Sequence, residues 1–153
     1  MKLQHILVPT DLSPDSDRPF AFVAQLAKDT EAKVTLLAVI ENIPYIPYGA
    51  PLAPPLASAD LEARRREALD RLEDLRNELP QSIDVAVAAV DSSDVAHAIS
   101  EYASEEGADL VAISTHGRTG WRRAILGSVA ERVLRESEVP VLSFHRGKAP
   151  EKA

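Results

Sequence analysis

The chain has no cysteine. Disulfides, thiol catalysis and Cys-ligated zinc are therefore excluded, and the composition agrees with a reducing cytoplasm. No apolar run approaches the roughly 20 residues of a membrane span, so no membrane partner is expected. The opening residues Met1-Lys2-Leu3-Gln4-His5 lead straight into a strand-like run, without the apolar region or cleavage site of a secretory signal. A basic surplus is missing too. The 17 Lys and Arg stand against 24 Asp and Glu, a net charge of −7, which argues against nucleic acid as a partner. His5, His97, His116 and His145 are not spaced as metal ligands,. There is no G-x4-G-K-[ST] and no G-x-G-x-x-G after the first strand-like run, so the commonest phosphate and dinucleotide motifs are absent,. What remains is 153 residues, 45% hydrophobic, enough for one domain with a core that needs no metal or disulfide.

Apolar runs and amphipathic stretches alternate along the whole sequence. Ile6-Leu7-Val8 is a short apolar run stopped by Pro9, as a buried parallel strand is,. Ser13-Pro14 has the form of an N-cap followed by proline at the first helical position, with Phe20, Val23, Ala24 and Ala27 following at helical spacing,. Val34 to Ile40 forms the second strand. Residues 44–55 carry five of the eleven prolines and so are neither helix nor central strand; a proline-rich loop is expected over 44–58. A helix follows from Ala59 to Leu79, its charges forming a solvated face with Glu62/Arg66 and Glu67/Arg71 as i, i+4 pairs,. Ile83 to Val90 is a third strand. Ser92 or Ser93 is placed to cap the next helix, which Gly107 ends,. Leu110 to Ile113 is the fourth strand, Gly127 to Arg135 the last helix and Val139 to Phe144 the last strand. Five strands joined by helical crossovers predict an α/β fold, a parallel sheet with helices on both faces. One domain is expected over residues 1–146, with a charged tail over 147–153.

The most distinctive stretch is Ser114 to Ser128. It holds three of the six glycines and three arginines with no acidic residue. A glycine-rich, locally basic loop between a buried strand and a helix start suits an anion, because free N–H groups and the helix dipole favour phosphate there. The competing explanation is a glycine-rich connection with no ligand. The other notable segment is Pro9-Thr10-Asp11-Leu12-Ser13 after the first strand. Asp11 is placed either to accept hydrogen bonds from a ribose or base edge, or to serve only the backbone at the loop-to-helix junction. Trp121, the one tryptophan, lies inside the glycine-rich loop.

Three separated segments in this order resemble the universal stress protein family. They are Ile6-Leu7-Val8-Pro9-Thr10-Asp11, then Ser114-Thr115-His116-Gly117-Arg118-Thr119-Gly120 through Gly127-Ser128-Val129-Ala130-Glu131, then Val139-Pro140-Val141-Leu142. The resemblance covers about residues 3–145 and implies a Rossmann-like sheet of strand order 3-2-1-4-5. The loops holding Asp11 and Gly127 would then face each other across one crevice. In the ATP-binding branch the motif is G-x2-G-x9-G-[ST]. Gly117, Gly127 and Ser128 match it, so the resemblance implies that they hold the phosphates, with His116 and Arg118 as further donors. It implies that Asp11, with Pro9 and Thr10, meets the nucleoside, and that Val39, Ile113 and Val129 wall the adenine pocket. Ser114 stands where the motif has its first glycine; serine is costly there if the position needs a positive φ, and harmless, with a donor added, if it needs only a small residue.

The resemblance thus implies a regulatory protein that binds ATP, with Mg²⁺ brought by the phosphates, and homodimerises through residues 139–144. AMP or a cyclic nucleotide would suit the same crevice. The sequence shows no acid–base pair for phosphoryl transfer, so hydrolysis is expected to be absent or very slow. The alternative is a ligand-free dimeric interaction module, as in the branch of that family that lacks the glycines.

Overall fold

Strand β1 (His5–Pro9) is buried along its whole length, as a strand covered on both faces must be. The computed structural model containing it describes residues 2–42, 58–115 and 127–145. A single 3-10 turn, Pro14–Asp17, follows β1, and α1 runs over Phe20–Thr30. Strand β2 (Lys33–Glu41) leads to α2 (Ser58–Glu78), β3 (Val85–Ser92), α3 (Val95–Glu105), β4 (Leu110–Ser114), α4 (Ser128–Glu136) and β5 (Val141–Phe144). The sheet order is β3-β2-β1-β4-β5, and all four pairings are parallel. The expected fold class and strand order are both present. The tail and nearly all of the proline-rich loop lie outside the described residues; Ser58, at the end of that loop, already belongs to α2.

Side-chain alternation divides the core between the two faces. Ile6, Val8, Val34, Leu36, Ala38 and Val85 pack with α1 and α2 through Phe20, Val23, Ala68 and Leu72. Leu7, Leu37, Val111 and Ile113 pack with α3 and α4 through Ile99, Ala103, Ala130 and Val133.

Two local expectations are corrected. Ser13-Pro14 opens only the 3-10 turn, and no side chain caps it. The α-helix waits until Phe20, because Pro19 has no N–H to continue a hydrogen-bond ladder through it; Val23 N–H then donates to the Pro19 carbonyl at 2.8 Å. The cap of α3 is Asp94, not Ser92 or Ser93. Its carboxylate accepts from His97 N–H at 3.2 Å, while Ser92 Oγ is engaged with the main chain of Asp94 itself. Gly107 does follow α3 at φ +63°, with Ala108 N–H returning to the Ala103 carbonyl.

The charged face of α2 does more than meet water. Arg65 donates from Nε (3.1 Å) and from its terminal NH2 (3.0 Å) to the Ala89 carbonyl. Val34 N–H bonds the Asp84 carbonyl, so even-numbered residues of β3 turn their main-chain groups to β2 and the Ala89 carbonyl points outward from the sheet edge. Arg65 thus occupies an edge acceptor that another strand would otherwise pair.

Asp94 makes a two-pronged ion pair with Arg132 of α4, at 2.9 Å for each contact, and Arg132 also reaches Glu136. Asp109 accepts from the N–H groups of Gln4 (2.8 Å) and His5 (3.0 Å), fastening β4 to the start of β1. The Arg132 guanidinium holds the carboxyls of Asp94 and Glu136 below their ordinary pKa values, and the Gln4 and His5 amides do the same for Asp109. Depressed carboxylates add stability above their unfolded values and lose it as pH falls through the folded ones. The thermal midpoint, followed by circular dichroism, is therefore expected to fall as pH drops below about 4, and Asp109→Asn is expected to flatten that decline.

Candidate functional site

The loop after β1 is set by hydroxyl and carboxylate groups capturing main-chain donors two residues on. Thr10 N–H donates to the Leu37 carbonyl at 2.8 Å, one step beyond the β1–β2 ladder. Leu12 N–H donates to Thr10 Oγ1 at 3.0 Å. Asp11 Oδ1 accepts from Ser13 N–H (3.0 Å) and Ser13 Oγ (2.5 Å). Ser16 Oγ gives its proton to the Ser13 carbonyl at 2.7 Å, so in the 2.6 Å contact with Thr10 Oγ1 the threonine is the donor. These overlapping turns leave Leu12 at φ 63°, a left-handed conformation that costs a bulky residue about 1–3 kcal/mol. Asp11 does serve its own turn, and it also lines the crevice described below.

The second loop leaves the sheet at Thr115, whose N–H and Oγ1 both donate to the Phe144 carbonyl, at 3.0 and 3.2 Å. The chain is described again at Gly127, which lies against the same residue, its N–H donating to the Thr115 carbonyl at 2.8 Å. Gly127 has φ −59° and ψ 142°, which any residue can adopt. Its lack of a side chain matters for space: a Cβ there would sit 2.8 Å from the Thr115 carbonyl oxygen. Gly127 therefore has a packing reason of its own and does not by itself distinguish a ligand site from a ligand-free connection. Ser114 is not among the residues with positive φ. Serine in place of the motif's first glycine costs no backbone strain.

Between these loops, at the carboxyl ends of β1 and β4, lies a crevice of about 350 Å³, within the range of small-molecule sites. Pro9, Thr10, Asp11, Val39, Ile113, Ser114, Gly127, Ser128 and Val129 all line it. His116, Gly117 and Arg118 lie outside the described residues. The crevice has two chemically different parts. Leu37, Val39, Val95, Ile99 and Ile113 form an apolar wall, whereas Ser114, Thr115 and the first turn of α4 supply polar groups. The N–H groups at the start of α4 have no partner within the helix. Asp94 and Arg132 lock the first turns of α3 and α4 together, so that Val95 and Ser128 share one rim.

Main-chain groups also reach this space. Leu37 turns its carbonyl to β1, and in a strand alternate residues turn to the same side. Val39 therefore directs its N–H and carbonyl toward β1, whose pairing ends at Pro9↔Leu37. A larger groove of about 500 Å³ lies beside α1, lined by Phe20, Ala24, Lys28 and Leu79 among others. It is away from the carboxyl ends of the strands, where open parallel sheets bind ligands.

Sequence reasoning missed Leu37, Val95 and Ile99, which fall within the strand expected over 34–40 and the helix that Gly107 ends. It also missed Thr115 and Glu41 as lining residues. The signal was available for Glu41 and Leu37: they alternate with Val39 on one strand, and so share its face.

Residues 2–145 match the model of the universal stress protein family. The chain belongs to the universal stress protein family. A universal stress protein of Methanocaldococcus jannaschii is 32% identical over 143 residues, covering 94% of this chain and 82% of that protein. Among solved structures, the universal stress protein UspA from Lactobacillus plantarum superposes with a TM-score of 0.77 at 21% identity, over 94% of this chain and 99% of that one. A universal stress protein in complex with cAMP matches with a TM-score of 0.58 at 25% identity, over 95% and 98% of the two chains. The family and its Rossmann-like fold thus agree with the strand order, and some universal stress proteins bind a nucleotide. No helix among the described residues is long and apolar enough to cross a membrane.

Proposed function

We propose that this chain is a regulatory protein that holds an adenine nucleotide, ATP with Mg²⁺ carried by its phosphates, in the crevice between the β1 and β4 loops. The observation that carries this reading is the junction of an apolar wall with the Asp11 turn and the open start of α4 in one space. The cAMP-bound relative supports an adenosine nucleotide as the ligand class. In this reading Ser128 Oγ and the first N–H groups of α4 hold phosphate oxygens, joined by His116, Gly117 and Arg118. Asp11 accepts from the ribose hydroxyls. The base lies between Val39, Ile113 and Val129, where Val39 N–H donates to adenine N1 and the Val39 carbonyl accepts from the exocyclic amine. Pro9 and Thr10 shape the nucleoside end.

Hydrolysis is absent or slow in this reading. Among the described residues the carboxylates lining the crevice are Asp11 and Glu41; Asp11 is engaged with Ser13, and this reading gives it to the ribose, which leaves no acid–base pair assigned to phosphoryl transfer. Turnover at the roughly 1–10³ s⁻¹ of ordinary enzymes would contradict it. The protein also homodimerises through residues 139–144. The β3 edge is occupied by Arg65, whereas Val141 and Ser143 lie on the other edge of the sheet. A second reading, the ligand-free dimeric module, is favoured by one fact: Gly127 is needed for packing with no ligand present.

Native mass spectrometry with and without ATP and Mg²⁺ separates the two. One nucleotide per subunit of a dimer is expected, with affinity weakened at least about tenfold by Asp11→Ala. A folded dimer that takes up no ATP at millimolar concentration would establish the ligand-free module instead.

A further inference from the structure

We propose that Arg71 is a positioning residue of the crevice, acting from the opposite face of the sheet. It belongs to α2, which packs with α1 on the face away from α3 and α4. Its terminal nitrogen donates to the Leu12 carbonyl at 2.7 Å, a short charge-assisted contact. Leu12 is the left-handed residue of the Asp11 turn, and its N–H and that of Ser13 are held by Thr10 and Asp11. Those bonds arise within the loop itself; the Arg71 contact comes from another element. A strained conformation persists only where its surroundings over-determine it. Arg71 supplies that constraint and so fixes the direction in which Asp11 enters the crevice. Arg64, two turns earlier on the same helix, donates at 3.3 Å to the carbonyl of Glu41, on the crevice's other rim. One helix thus fastens both the β1 loop and the end of β2. The role for Asp11 rests on the nucleotide reading above; the clamp on the turn does not.

The test compares wild type with Arg71→Met, Arg71→Lys, Leu12→Gly and the Leu12→Gly/Arg71→Met pair. In the ligand-free protein, Arg71→Met is expected to speed amide exchange at Leu12 and Ser13 about tenfold while the strand amides keep their protection. Titration with ATP and Mg²⁺ is expected to show about tenfold weaker binding for Arg71→Met. Arg71→Lys, which keeps a cationic N–H donor, recovers most of that loss. In the Leu12→Gly background, where glycine takes the left-handed conformation without strain, Arg71→Met is expected to have no further effect on affinity. Unchanged exchange at Leu12 and Ser13 overturns the clamp whether or not ATP binds. Faster exchange with unchanged ATP affinity overturns its link to Asp11. Failure of wild type to bind ATP overturns the nucleotide reading and the role of Asp11 within it, and the exchange data then decide the clamp alone.

Discussion

Gly127→Val is expected to lower stability by about 1–3 kcal/mol and to open the junction between β4 and α4. The cause is a collision with main chain rather than a forbidden dihedral angle. Gly127 has an ordinary extended conformation, but a Cβ would stand 2.8 Å from the Thr115 carbonyl oxygen, and a backbone carbonyl cannot swing aside as a flexible side chain does. Thr115 is itself buried and tied to the Phe144 carbonyl through two donors. The strain therefore passes to α4, breaking the Gly127–Thr115 hydrogen bond and moving the first turn that lines the crevice. Urea unfolding checks the stability, and amide exchange at residue 127 and at Glu131, whose N–H groups donate to the Thr115 and residue-127 carbonyls, checks the displacement. Because the defect exists without ligand, weakened ATP binding in this variant would not prove that Gly127 touches phosphate. Gly127→Ala is expected to show the same effects at smaller amplitude.

The alternation of short apolar runs with amphipathic stretches was enough to predict five parallel strands, since each crossover carries a helix that covers a face of the sheet. The order 3-2-1-4-5 came from motif resemblance, because pairing partners leave no mark in composition. At the site, Asp11 and Gly127-Ser128 were legible through residue type beside a strand end. Their supporting groups were not. Nothing in the sequence marks Leu12 as left-handed, because the conformation comes from Thr10 and Asp11 capturing neighbouring N–H groups and from Arg71 across the fold. Arg64, Arg65 and Arg71 of α2 resembled a solvated face for the same reason: their acceptors are carbonyls, which every residue carries. Ser92, Ser93 and Asp94 are all good caps, and Asp94 prevails where it also meets Arg132, a neighbour that only the fold supplies.

Leu37→Ala is expected to cost about 2–5 kcal/mol, the largest single loss among the crevice residues. Leu37 is fully buried and belongs to the core between the sheet and α3 with α4, beside Ile99, Ile113 and Ala130. It also forms part of the crevice wall, and that dual position makes the substitution informative. Truncation removes packing on the core side and enlarges the apolar end of the crevice on the other. Its carbonyl, which accepts from Thr10 N–H, remains in place, so the β1 loop keeps its attachment to β2. Chemical denaturation should therefore show a lower midpoint with an unchanged dependence on denaturant, the sign of a looser core in an intact fold. If an adenine ring occupies the apolar end, ATP should restore part of the lost stability, by an amount that grows with the logarithm of its concentration over its Kd, and a larger N6-substituted analogue should recover more than ATP does at equal concentration. Equal stability of Leu37→Ala and wild type would mean that Leu37 contributes little to this core, contrary to its complete burial.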